Sequence, residues 1–227
     1  MIQPLEELLT GLVGALPPDG AHVPPAKVAP LETAPEARTA PVPVAFNVRI
    51  FKTVRFVHPD APALLVLANY LRDTFLHREL REKGGAYGGY AQAGVASGTF
   101  YFGSYRDPNI TRTYDVFDQA VRWVTDHEID PENLKEAILG ACGDVDPLES
   151  PDIKGRREAT NRSTGFTREA RERFKQRLLK VSADDLRRVT HSYFMAAPAV
   201  QTTVAGADLI EEARRERPEL FQVVAPL

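Results

Sequence analysis

The alternation of apolar and polar residues near position 50 predicts a β-strand with one buried face. Phe46, Val48 and Ile50 are separated by Asn47 and Arg49, which is the period of two expected of a half-buried strand. We therefore expect the apolar set to face the core of the domain.

A helical period follows this strand. Apolar residues recur every three or four positions at Leu64, Leu67, Ala68, Leu71 and Phe75. The pattern predicts one long amphipathic helix. It begins near Pro62, which suits a first turn, and is stopped after Lys83 by Gly84 and Gly85. Residues 99–105 then predict a second strand.

Capping residues mark the helices that come later in the chain. Asp130, followed by a proline and an acid, is a strong helix start. Thr167 and Ser182 are expected to cap two further helices, and Asn109 or Thr111 is expected to cap the helix after the second strand.

The remaining segments are predicted from composition and short periods. Residues 4–16 predict a short amphipathic helix, and the proline-rich stretch 17–43 is expected to be an extended connector without a regular hydrogen-bond ladder. Residues 144–154 are loop-like, residues 199–205 predict a last strand, and the tail from Asp208 is helical.

The order of elements predicts an α+β fold. Strands and helices do not alternate strictly, so helices packed on one face of a mostly antiparallel sheet fit better than a doubly wound parallel sheet. We assign residues 1–43 to a helix and connector of the same, truncated domain, and residues 44–227 to the main α+β domain.

Composition limits the classes of partner and the cellular compartment that we expect for this chain. A net charge of −3 and a pI near 6.0 provide no general attraction to nucleic acid or to anionic membranes. The single cysteine, Cys142, excludes an internal disulfide. No apolar run reaches the ~18 residues of a membrane helix, and the start lacks a basic signal region. We expect a cytoplasmic protein.

The chain contains no recognisable metal or nucleophile motif. Its five histidines are scattered, and neither HxxEH nor HExxH occurs, although two ligands on one helical turn make such zinc sites specific. His77 is therefore interpreted as a surface histidine and Cys142 as a small apolar residue. GxSxG is also absent. Asp144 and Asp146 are interpreted as solvated loop acids.

The glycine-rich segment 84–89 is a poor phosphate loop. It follows a helix, whereas a phosphate-binding loop must lead into a helix N-terminus, and the Lys-Ser/Thr ending is missing.

Arg81 and Tyr87 are the strongest candidates for function. They flank the glycine break at a helix-to-strand corner, where a cation and a phenol could together bind a peptide carbonyl. The structural alternative is that Arg81 stabilises the negative end of the helix dipole and Tyr87 packs at the start of the strand.

One segment closely resembles the last domain of pitrilysin/insulinase-type zinc metallopeptidases, in the presequence-protease branch. Its sequence is FLHRELREKGGAYGGYAQAGVASGTFYFGSYRDPNITRTYDVF. The match is strongest over residues 75–117 and extends more weakly over about 44–206. GGAYG and SYRDPN are its most specific parts.

The resemblance implies that this chain contributes to an active site formed together with other domains of the same enzyme. Such peptidases have four homologous α+β domains in two halves that close around the peptide, with zinc on an HxxEH helix of the first domain. The last domain supplies an arginine and a tyrosine that bind the substrate backbone and stabilise the oxyanion. The matching positions here are Arg81 and Tyr87.

The resemblance also implies what this chain lacks. No HxxEH is present, so zinc is expected in an N-terminal half, and the chain is not expected to cleave peptides alone. We expect it to be a C-terminal fragment whose first strand is missing. Its partners would be peptide substrates, the zinc-bearing half and, through exposed surface, a second copy.

Two other functions remain open at this point. The chain could be a non-catalytic structural or peptide-binding subunit of the same fold. It could instead be an unrelated α+β interaction domain, in which the glycine corner is only a turn.

Overall fold

A computed structural model describes residues 3–16, 33–195 and 198–227. The chain divides into two units, residues 1–32 and 33–227. In the first unit, helix α1 (Gln3–Gly14) confirms the helix predicted there, and none of its residues is buried. The predicted connector over 17–32 lies outside the described residues.

The second unit contains the sheet and the other helices. Its strands are β1 (Glu36–Thr39), β2 (Ala45–Lys52), β3 (Gly88–Gly94), β4 (Thr99–Asp107), β5 (Ala199–Ala205) and β6 (Val223–Pro226). Its α-helices are α2 (Ala61–Leu71), α3 (Thr111–Asp126), α4 (Pro131–Val145), α5 (Pro151–Thr164), α6 (Arg168–Leu178), α7 (Ala183–Phe194) and α8 (Ala207–Glu216). Within the described ranges, no helix is long and apolar enough to cross a membrane.

The six strands form one sheet in the order β3-β4-β2-β5-β1-β6. The pairs β3–β4, β4–β2 and β2–β5 are antiparallel, whereas β5–β1 and β1–β6 are parallel. The predicted α+β class with a mostly antiparallel sheet is confirmed.

Two strands, β1 and β6, were not anticipated from the sequence. Strand β1 lies inside the proline-rich stretch and pairs on both sides, so the expectation of a connector without a ladder is wrong for Glu36–Thr39. Strand β6 is very short, with four residues. These strands are stabilised mainly by neighbours distant in sequence, which a local pattern does not reveal.

The buried face of β2 is the opposite of the predicted one. Asn47 is 0% exposed and Phe51 is buried, whereas Ile50 is 37% exposed. Helices cover the face that carries Asn47, and the apolar set with Phe46 and Val48 lies on the open face. Alternation identified the strand correctly, but it could not show which face the helices would cover.

The helix predicted over residues 62–83 changes its pitch midway. Helix α2 is buried along its whole length, and a π-helical segment continues it over Arg72–Glu82. The wider i→i+5 turn still keeps Phe75, Leu76 and Leu80 buried, so the apolar stripe continues into the segment.

Most predicted helix starts are confirmed. Asp130 accepts a hydrogen bond from the Asn133 amide at 2.9 Å, Thr167 caps α6, and Ser182 forms a capping box at α7. The cap predicted for α3 is wrong, because its N-cap is Ile110 without a side-chain bond. The predicted loop over 144–154 is shorter than expected, since α4 continues to Val145 and α5 begins at Pro151.

A fully satisfied amide lies under the centre of the sheet. Asn47 Nδ2 donates to Ser104 Oγ and to the Asn109 carbonyl oxygen, each at 2.9 Å, and Asn47 Oδ1 accepts from Thr203 Oγ1 at 2.8 Å. The Tyr114 hydroxyl lies 2.9 Å from Thr203 Oγ1. One side chain thereby joins β2, β4, β5 and the turn before α3.

Replacing Asn47 with Ala should destabilise the domain. The change removes three hydrogen bonds from a largely buried network, which costs on the order of 1–3 kcal/mol in the free energy of unfolding. Urea denaturation measures the loss. Lys52→Ala, at an exposed position on the same strand, is the matched control and should change stability by less than about 0.5 kcal/mol. Equal effects of the two changes would contradict the assigned role of Asn47.

Tyr114 should make stability fall in alkali. Burial raises the pKa of Tyr114 to about 12, above the value near 10 for an unfolded tyrosine. The resulting stabilisation is complete below about pH 10 and is lost as the pH rises through about 12, because the unfolded state releases the proton first. The free energy of unfolding, measured by urea denaturation at several pH values across this range, should fall less steeply with rising pH in Tyr114→Phe than in the unchanged protein. An unchanged slope would contradict the prediction.

Candidate functional site

The corner between the π-helical segment and β3 is closed by two backbone hydrogen bonds. The Gly85 amide donates to the Arg81 carbonyl oxygen, and the Ala86 amide donates to the Leu80 carbonyl oxygen, each at 3.0 Å. Gly85 has a φ of +78°, a conformation that glycine adopts without steric cost. The helix therefore ends at a defined residue and the chain turns directly into the strand.

Two other glycines allow close approaches at this corner, Gly84 to the end of the segment and Gly89 between the segment and β3. A Cβ on Gly84 would lie 2.4 Å from the Leu80 carbonyl oxygen, and a Cβ on Gly89 would lie 2.5 Å from Leu80 Cδ1. Both distances are well inside van der Waals contact. The glycines of this corner thus permit close packing.

Arg81 and Tyr87 come together on the outside of this corner. The guanidinium carbon of Arg81 lies 5.9 Å from the centroid of the Tyr87 ring, within the range of a cation–π contact. Tyr87 is 66% exposed. Within the described part of the chain, no carboxylate lies within ion-pair distance of Arg81, so its charge is not neutralised by a neighbour.

An aromatic side chain predicted as part of a strand extends this pair. The Tyr105 ring packs edge-on against Tyr87 at a centroid distance of 6.0 Å, and Phe46 packs against Tyr105 at 5.3 Å. All three rings lie at the open face of the sheet. The site therefore combines one free cation with a partly apolar surface, which suits a peptide segment.

The backbone of the corner is held by the next turn of the chain. Asn109 Nδ2 donates to the Gly84 carbonyl oxygen at 2.7 Å, and Arg112 Nη1 donates to the Lys83 carbonyl oxygen at 2.9 Å. The Tyr87 amide donates to the carbonyl oxygen of Arg106, whose φ of +50° is unusual for a residue with a side chain. Sequence reasoning identified SYRDPN as specific but did not assign these supports.

His77 is the other polar neighbour of Arg81. Arg81 Nη1 lies 3.4 Å from His77 Nε2, and His77 Nδ1 lies 3.4 Å from Glu82 Oε1. The interpretation of His77 as a surface residue agrees with its exposure. Its contact with the candidate arginine, four residues along the segment, was not predicted.

The described residues do not form a zinc site. No group of three His, Cys, Asp or Glu side chains is placed to hold a metal ion within the described ranges, and His22 lies outside them. Cys142 is half-buried and packs against the core. Asp144 accepts a hydrogen bond from buried Asn69, and Asp146 pairs with Lys175, so both acids have structural partners.

Comparison with known proteins identifies the family. Residues 42–195 match the family model described as the PreP C-terminal domain. The chain belongs to this family. The match includes the whole corner and the turn that supports it. The alternative that the chain is an unrelated α+β interaction domain is therefore wrong.

Curated relatives are presequence proteases. The chain is 34% identical over 159 residues to presequence protease 1, chloroplastic/mitochondrial, of Arabidopsis thaliana, covering 70% of this chain and 15% of the relative. It is 37% identical over 175 residues to the mitochondrial presequence protease of Eremothecium gossypii, covering 76% and 17%. The chain thus spans about a sixth of the length of these relatives.

A solved structure of similar fold is an M16 peptidase inactive domain from Pseudomonas fluorescens. It has a TM-score of 0.66 at 17% identity, and the match covers 91% of this chain and 51% of that chain. At this identity the likeness concerns the fold alone. Together with the family match, it makes this a peptidase-related chain.

The two neighbouring glycines Gly88 and Gly89 offer a matched test of the corner. Gly89→Ala should destabilise the domain by about 1–3 kcal/mol, because the added Cβ overlaps Leu80 and pushes β3 from the π-helical segment. Gly88→Ala meets no atom within 4 Å and should have a much smaller effect. Thermal unfolding of both variants compares them, and equal losses would contradict the close approach.

Proposed function

We propose that this chain supplies the peptide-contacting side of the active site of a zinc metallopeptidase that degrades short unfolded peptides. The observation that carries the proposal is the Arg81 guanidinium beside the Tyr87 ring, exposed and without a carboxylate partner among the described residues. Membership of the PreP C-terminal domain family supports it.

The two side chains suit different moments of peptide cleavage. Arg81 offers several charged donors in a fixed plane and can bind a substrate backbone carbonyl. The Tyr87 hydroxyl can donate to the oxygen on which negative charge develops. Such a bond is much stronger once a closed chamber excludes water. The exposure of Tyr87 leaves it free to make this contact.

The zinc and the residue that activates water would belong to an N-terminal half. The described residues do not fit a zinc site, so the chemistry of that metal is not assigned to this chain. The open face of the sheet, with Ile50 and Tyr105 exposed, would be covered or would line the chamber when the halves assemble.

The test uses the chain assembled with a zinc-bearing half and a quenched peptide substrate. Tyr87→Phe should lower kcat by about 10²- to 10³-fold, the usual loss for an oxyanion donor. Arg81→Ala should lower kcat/KM because substrate binding is lost. The matched control is Arg78→Ala on the same segment, since Arg78 already pairs with Glu79 at 2.9 Å, and its turnover should be unchanged.

Unaltered turnover in both Arg81→Ala and Tyr87→Phe would sink the assignment. The alternative, a non-catalytic peptide-binding subunit, predicts a different pattern. Peptide would then bind this chain alone in an Arg81-dependent manner, and no zinc-bearing half would produce cleavage on mixing.

A further inference from the structure

The π-helical pitch gathers three polar side chains on one side of the segment. His77 contacts Arg81 at i+4 and Glu82 at i+5, each at 3.4 Å. An i+5 contact is favoured by the wider turn of a π-helix, whereas in a regular α-helix the surface neighbours are at i+3 and i+4. The change of pitch at Arg72 therefore places an imidazole between a carboxylate and the candidate guanidinium.

The donors and acceptors of this trio select one form of the imidazole. Arginine has donors and no acceptor, so His77 Nε2 must accept from Arg81. In a neutral ring the proton then resides on Nδ1, which faces Glu82 Oε1. The neutral Nδ1–H tautomer satisfies both contacts, and the other neutral tautomer satisfies neither.

The other carboxylate near His77, Glu79, already has cationic partners. Glu79 is engaged by Arg78 and by Lys83, at 2.9 and 2.8 Å. Glu82 is thus the carboxylate left for His77. A carboxylate on Arg81 would neutralise it and could occupy two donors, whereas one neutral nitrogen orients the guanidinium and leaves its charge and other donors for a ligand.

We propose that His77 is a positioning residue that holds Arg81 through Nε2, with Glu82 fixing its tautomer through Nδ1–H. The residue acts through Arg81 and does not itself touch the peptide. This proposal rests on the proposed function only for the use that Arg81 serves, since the contacts of His77 with Arg81 and Glu82 are a property of the free protein.

The tautomer is tested on this chain alone by ¹⁵N NMR of the histidine rings at about pH 8, where an ordinary imidazole is neutral. His77 should show the Nδ1–H form, and Glu82→Ala should return it to a mixture. His127, whose Nδ1 lies 3.2 Å from the Trp123 carbonyl oxygen, is the internal reference for that form. An Nε2–H ring at His77, or no response to Glu82→Ala, would overturn the proposal.

Two replacements of the exposed His77 side chain test whether it orients Arg81. His77→Gln places an amide oxygen near the Nε2 position and should retain the order of the Arg81 side chain in NMR relaxation, whereas His77→Leu should lose it. In the assembled peptidase, His77→Leu should lower kcat/KM by about 3- to 10-fold, the loss expected of one hydrogen bond, and His77→Gln should largely restore it.

A double-mutant cycle separates the two proposals. His77→Leu should have no further effect once Arg81 is Ala, because His77 acts through that side chain. Equal losses with and without Arg81 would overturn the positioning role. If Arg81→Ala leaves activity unchanged while the NMR results hold, the proposed function fails and the His77–Arg81 contact stands.

Discussion

The buried amide of Asn47 links three strands of the sheet to the turn before α3. Its three hydrogen bonds reach Ser104, Asn109 and Thr203, which are far apart in sequence. A buried polar group is costly unless it is fully paired. The amide is satisfied only when β2, β4 and β5 share one register and the turn before α3 is in place, so it specifies the arrangement as well as stabilising it.

The same network reaches the candidate site through Asn109. The carbonyl oxygen of Asn109 accepts from Asn47, and its side-chain amide donates to the Gly84 carbonyl oxygen at the corner. The position of Arg81 and Tyr87 is therefore tied to the interior of the domain by two steps of hydrogen bonding. Functional side chains need such support to be held within a fraction of an ångström.

The corner combines a closely packed backbone with exposed side chains. The backbone of the corner is fixed by close glycine packing against Leu80, while Tyr87 remains largely open to solvent. Around Arg81, the neutral contact with His77 and the ring of Tyr87 orient the charge without cancelling it. The proposed function requires this combination, because ligand groups must be oriented before they are covered.

Features that depend on neighbouring residues could be predicted from the sequence alone. Asp130, Thr167 and Ser182 were predictable as caps because each bonds an amide three residues away. The Arg81–Tyr87 corner was predictable for the same reason, as a helix end, a glycine break and a strand start within a few residues.

Features that depend on partners distant in sequence became visible in the folded domain. The tertiary structure placed Asn47 in the core and Ile50 outside, added the proline-flanked β1 to the sheet, and brought Glu82 to His77 through a π-helical turn. Local periodicity reports alternation but not which face is covered. The free energy that selects the face comes from contacts across the whole sheet, which a single stretch of sequence does not contain.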